Sequence, residues 1–192
     1  MKNKLPVLIA FAVAFNCCNN RPEKDIGEKA DSANDAHYDD NMKRDIAPVD
    51  DKSADFLVNA VNESMFETQL AKLAKEKATT SKVNDYAGMI LSDHGILYDQ
   101  LKAISSGLHV VLPSSPDEAV QKKLQLLNKH TGKEFDKGFL NMMIRDHKKT
   151  IQLFEHASRN VNNAEVKTLI DNALPQLNKH LDSARVLEKM YR

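Results

Sequence analysis

From residue 53 onward, apolar side chains recur at alternating steps of four and three, the spacing that places them along one face of an α-helix. Four seams can be followed. The first runs Phe56, Ala60, Glu63, Glu67, Leu70, Ala74; the second Val83, Ala87, Ile90, His94, Leu97, Leu101, Ile104. The third runs Leu140, Met143, His147, Thr150, Phe154, Ala157, Val161, with Phe135, Phe139, Met142 and Leu153 on the stripe beside it. The fourth runs Val166, Ile170, Ala173, Leu177, His180, Ala184, Leu187, Tyr191. Thr79-Thr80-Ser81 separates the first pair, with Ser81 the expected N-cap, and Asn162-Asn163 separates the second. Pro175 falls inside the last seam and predicts a kink near Asp171, whose carbonyl loses its helical donor. An all-α fold follows.

The connection between the second and third seams, Ser105 to Gly132, is far longer than a helical hairpin needs. Gly107 closes the second helix. Ser115-Pro116-Asp117-Glu118 is a capping box with proline at the first helical position, so a short extra helix is expected from Pro116 to about Lys129, closed by Thr131-Gly132. Such a crossover fits a ferritin-like four-helix bundle better than up-down-up-down topology. A shift of 83 residues also superposes the two halves. Phe56, Leu57, Gln69, Leu70, Ala74 and Val83 meet identical residues, and Glu63 meets Asp146, as expected of a duplicated helical hairpin.

Ahead of the seams the pattern stops. Residues 19–55 hold 11 acidic and 6 basic side chains and few large apolar ones, too few to offset the entropy of ordering. We read residues 19–52 as a disordered tether, with at most a short helix near residues 30–42, and residues 53–192 as the folded domain. Residues 1–18 begin with Lys2 and Lys4, continue through an apolar run from Leu5 to Phe15, and end Asn16-Cys17-Cys18. This is the form of a secretory signal, too short to span a bilayer. The cysteines stand where a bacterial lipoprotein is lipidated. Cys18 is the better candidate, because Cys17 before it is smaller than Asn16; Cys17 is the alternative, and a cleaved signal with incidental cysteines is the rival reading. Lipidation would place the protein in the bacterial cell envelope, in the periplasm or on the outer membrane, with the membrane as its one implied partner; protein partners are not specified.

Composition then removes function classes. The 27 basic residues balance 27 acidic ones, against the basic excess of a nucleic-acid binder. Two adjacent cysteines form neither a disulfide framework nor a zinc-thiolate site. The folded part has no glycine-rich phosphate loop, no serine nucleophile elbow and no cysteine nucleophile.

What remains is chemical: ionisable groups interrupt all four seams. Glu63 and Glu67 stand in the first, His94 in the second, His147 with neighbouring Asp146 in the third, and His180 in the fourth. Counted from the hairpin turns at 1.5 Å per residue, their heights agree within one to two helical turns, so they should meet in one layer. Charged groups on a core stripe must be paired, hydrogen-bonded or bound to metal. Convergent imidazoles and carboxylates from facing helices build metal sites in bundles. We therefore take Glu67, His94, Asp146, His147 and His180 as candidate ligands for an unspecified transition metal (Fe, Mn, Zn or Cu), with Glu63 and Asp93 positioned to orient them. The alternative is a metal-free layer that fixes helix register. His109, His130 and His156 read as surface or capping residues, and Met65, Met89, Met142 and Met143 as core. No reaction is specified; redox metal chemistry would need an open coordination position.

The stretches Asp55-Phe56-Leu57 through Glu67-Thr68-Gln69-Leu70-Ala71, Ser92-Asp93-His94, Leu112-Pro113, Arg145-Asp146-His147, Leu153-Phe154-Glu155 and Leu174-Pro175 with His180-Leu181 resemble the domain-of-unknown-function family DUF4142 over residues 53–190. The resemblance implies a ferritin-like bundle, secretion in bacteria and no established reaction. It adds Glu155 to the candidate residues that support the ligands, beside Glu67, Asp93, His94, Asp146, His147 and His180. Leu91 and Leu177 stand where the Glu-x-x-His motif of true ferritins needs glutamate, which argues against a ferroxidase centre.

Overall fold

A computed structural model describes residues 49–116 and 118–192. The signal, Cys17, Cys18, nearly all of the tether and the helix expected near residues 30–42 lie outside the described residues, as does Asp117 of the capping box. Five helices follow one another: α1 Asp51–Lys77, α2 Ser81–Gly107, α3 Glu118–Asn128, α4 Gly132–Asn160 and α5 Ala164–Glu188, closed by a 3-10 turn at Lys189–Tyr191. No strand occurs among the described residues.

Local chemistry sets the helix ends. Asp50 caps α1 by accepting from the Ser53 amide at 3.1 Å and the Ser53 hydroxyl at 2.6 Å. The helix thus begins two residues ahead of the boundary drawn at residue 53. Thr80, not Ser81, caps α2, because its hydroxyl reaches the Val83 amide and Ser81 is already helical. Gly107 ends α2 as expected, but the left-handed residue that turns the chain is His109, at φ 56°. Gly132 takes the other left-handed position, φ 60°, where α3 gives way to α4, and a side chain there would be strained. The α5 helix is continuous through Pro175.

Burial follows the seams, and the buried residues divide into two apolar clusters. One joins Phe56, Leu57 and Val61 of α1 to Leu97–Ile104 of α2, Phe154 and Ala157 of α4, and Val166, Ile170 and Leu177 of α5. The other joins Phe66, Leu70 and Ala74 of α1 to Val83 and Ile90 of α2, Phe135, Phe139 and Met143 of α4, and Ala184 of α5. The start of α1 therefore lies beside the end of α4, while the end of α1 lies beside its start. Hence α4 runs antiparallel to α1 and parallel to α2, and the two hairpin turns lie at opposite ends. The crossover must travel the length of the bundle. Val110 joins the first cluster and Val120 and Leu127 of α3 the second, so the crossover's own apolar residues record that path. Parallel middle helices with a long crossover define a ferritin-like bundle. Each fully buried phenylalanine contributes about 1.5–3 kcal/mol to closing it.

Among the buried polar groups away from the charged layer is a carboxylate at the start of α4. Asp136, fully buried, accepts from the Thr79 amide at 3.0 Å, the Thr79 hydroxyl at 2.6 Å and the Tyr191 hydroxyl at 2.8 Å. It ties the α1–α2 turn and the C-terminal 3-10 turn to the start of α4. Sequence reading passed over it, although it lies four residues before Leu140 and extends the third seam by one step. Asp136→Ala is expected to cost about 3 kcal/mol in chemical denaturation, because three donors lose their shared acceptor. Tyr191→Phe, which removes one of the three bonds, is expected to cost about 1 kcal/mol. Equal losses in the two variants would rule out the carboxylate as the hub.

Candidate metal centre

Between the two apolar clusters lies the polar layer. Glu67 (α1), His94 (α2), His147 (α4) and His180 (α5) are all buried to within 1% of complete. Every helix of the four contributes one. The rings of His94, His147 and His180 have centroids 5.3–5.4 Å apart, and one nitrogen from each lies within 4.8 Å of the others.

The hydrogen bonds show which nitrogen each ring presents. His180 Nε2 lies 2.8 Å from Asp93 Oδ2, so the ring donates there and leaves Nδ1 as a lone pair. Gln176 Nε2 also donates to Asp93 Oδ2, at 2.5 Å, so two donors share one carboxylate oxygen. His147 Nδ1 donates to the Met143 carbonyl one turn back, at 3.1 Å, with Glu67 Oε1 at 3.2 Å. Its Nε2 is buried and has no hydrogen-bond partner. His94 Nδ1 faces Glu67 Oε2 at 3.1 Å, out of line for a hydrogen bond, and its Nε2 lies 3.3 Å from His180 Nδ1. Each ring thus turns one nitrogen to an oxygen and the other toward its fellow histidines.

Glu67 lies behind the rings. Its oxygens face the Nδ1 atoms of His94 and His147, and Oε1 accepts from the Thr150 hydroxyl at 3.2 Å. Expected as a ligand, it is not among the three side chains whose ligand atoms converge. Asp93, expected to orient a ligand, is the carboxylate that faces His180 Nε2, at 26% side-chain exposure. Asp146, expected as a ligand, is buried outside the histidine cluster, among the charges of Lys123, Glu63 and Arg145. Adjacency in sequence misled here, since neighbouring helical residues point about 100° apart. Glu63 is buried one turn before Glu67 and pairs with Lys149, not with a histidine. Glu155 is exposed eight residues beyond His147 and supports nothing in the layer. Gln176, which sequence reading passed over, had two signals: it precedes His180 by four and follows Asp93 by 83.

Protonation follows from burial. Desolvation lowers His147 to about 3, with the charge of His180 acting in the same direction. Desolvation also holds His94 well below its usual range, reinforced by His147 and His180, and lowers His180 against the opposing pull of Asp93. All three imidazoles are therefore neutral at pH 7, the form that ligates metals. Burial holds the Glu67 carboxyl well above the carboxylate range, with the charges of Glu63 and Asp146 adding to it. Burial likewise raises Asp146, against the charge of Lys123.

An all-helical, ferritin-like bundle with a trihistidine cluster at mid-height is the class that fold and site define. Within that class the chain belongs to the family described as Domain of unknown function (DUF4142), whose model matches residues 40–187. It shares its fold with the crystal structure of a DUF305 fragment from Deinococcus radiodurans, at TM-score 0.66 and 17% identity, over 74% of this chain and 99% of that one. No curated protein matches the sequence.

Proposed function

We propose that this protein is an envelope lipoprotein whose bundle binds one transition-metal ion through His94, His147 and His180. The observation that carries the metal reading is the convergence of three buried ring nitrogens, one of them, His147 Nε2, without a partner. A closed hydrogen-bond layer would satisfy that nitrogen; a metal ion does so directly. The 3.3 Å between His94 Nε2 and His180 Nδ1, which joins the two rings by a hydrogen bond, also matches one edge of a tetrahedron with metal–nitrogen bonds of roughly 2.0–2.1 Å, and the three nitrogens lie within 4.8 Å of one another. Asp93, the Met143 carbonyl and Glu67 would fix the ring orientations from behind. Three neutral imidazoles favour copper and zinc over manganese, which prefers oxygen.

Purified protein exposed to Zn(II) or Cu(II) and then desalted should retain about one equivalent, and a His94→Ala/His180→Ala variant almost none. Equal, substoichiometric metal in both ends the metal reading. The rival, a metal-free layer that sets helix register, is favoured by the Glu67–Thr150 and Asp93–His180 bonds, which need no ion. It would gain from that same result.

The anchor is carried by the Lys2–Cys18 pattern, and no helix among the described residues is long and apolar enough to cross a membrane. Cys17→Ser/Cys18→Ser should move the protein from the membrane pellet to the soluble envelope fraction. Unchanged pelleting of that variant would remove the lipid anchor.

A further inference from the structure

A cavity of about 250 Å³ opens between α2 and α5 and ends on the layer. Ile96, Gln100 and Asn172 stand at its exposed mouth, Leu97 and Leu177 on its walls, and His94 and His180 at its floor. These helices pack less closely than either hairpin, which leaves room for the opening. The third histidine, His147, does not line it.

Resting on the metal reading, we infer that the metal keeps one coordination position open to this cavity and takes a small exogenous anion there. Three observations carry this. Among the described residues only three side chains converge as ligands, one fewer than a closed tetrahedral site requires. The carboxylates that could complete the set lie off it: Glu67 faces the outward Nδ1 atoms, and Asp93 accepts from His180 and Gln176. Finally, imidazole ligands bring no negative charge to offset that of a divalent ion, and the cavity lining offers the amides of Gln100, Asn172 and Gln176 and a single carboxylate, Asp93, whose Oδ2 is already bonded to His180 and Gln176. The space is enough for a triatomic or small carboxylate ligand and too small for a macromolecule.

The test uses the Cu(II)-loaded protein with azide as the probe. Azide should generate an anion-to-copper charge-transfer band that saturates. Ala173→Phe, which fills the cavity from α5, and Gln100→Trp at its exposed mouth should retain copper at wild-type stoichiometry and melting temperature. Both should need roughly tenfold more azide for half-saturation. Copper that stays bound while its spectrum ignores azide, or equal azide affinity in wild type and both variants, overturns the open position and leaves the metal site standing. Failure of wild type to retain copper overturns both.

Discussion

Saturating Zn(II) or Cu(II) is expected to raise the melting temperature of this protein by roughly 12 °C. Free metal at a thousand times the dissociation constant adds about 4 kcal/mol to the folded state, and a domain of this size shifts by about 3 °C per kcal/mol. The effect requires the site to be absent from the unfolded chain, which holds here because its ligands come from α2, α4 and α5. Replacing Glu67, His94, Asp146, His147 and His180 together by Leu or Met removes the response. That variant should stay folded, since apolar groups of similar volume often replace buried polar networks without loss. His94→Ala alone should destabilise the metal-free protein, because Glu67 Oε2 then faces a void in place of an imidazole. Differential scanning calorimetry with and without metal decides. A wild type indifferent to both metals, beside a layer variant at least as stable, would favour the register role.

The layer was legible because the helical period is strict: a histidine four residues after Ile90 or four before Ala184 must point where those side chains point. His94, His147 and His180 lie on seams, and they converge. The seam does not encode which side of the layer a carboxylate takes. Glu67 and the histidines share one height, yet the rotation of α1 sets Glu67 against Nδ1 atoms, a matter of side-chain packing that no spacing reveals. Asp146 and Glu155 entered through adjacency and resemblance, and both fall off the seam. The internal repeat was more informative than its six identities implied. Two hydrogen bonds, Thr150 to Glu67 and Gln176 to Asp93, join residues 83 apart, so equivalent positions of the two hairpins meet across the bundle. The same equivalence fails at the ligands: His94 corresponds to Leu177, His180 to Leu97 and His147 to Ser64. A trihistidine site on a duplicated scaffold is therefore asymmetric, and its two sides differ in access.

Acid should unfold the metal-free protein in a window set by the histidines. Their folded pKa values lie below the unfolded value of 6.5, so the neutral rings contribute stability that is fully present above pH 6.5 and lost as pH falls toward the folded values, about 3 for His147. Glu67 acts oppositely. Its folded pKa is raised above 4.5, so its contribution is full below pH 4.5 and is lost as pH rises through the folded value. Between pH 4.5 and 6.5 the unfolded chain takes up three histidine protons while the folded chain retains one on Glu67. The balance is a net uptake of protons by the unfolded chain, so the melting temperature should fall as pH drops from 6.5 to 5. Above pH 6.5 the histidines no longer contribute and Glu67, the more strongly raised of the two buried carboxyls, dominates over Asp146, so stability should decline as pH rises through its folded value. Glu67→Gln isolates the two arms: the alkaline decline should vanish and the acid loss should steepen, because the opposing proton is gone. Melting curves of metal-free wild type and Glu67→Gln from pH 5 to 8 measure both. A flat wild-type profile, or an alkaline decline that survives in Glu67→Gln, would mean that the buried imidazoles and carboxyl do not carry the protons assigned to them.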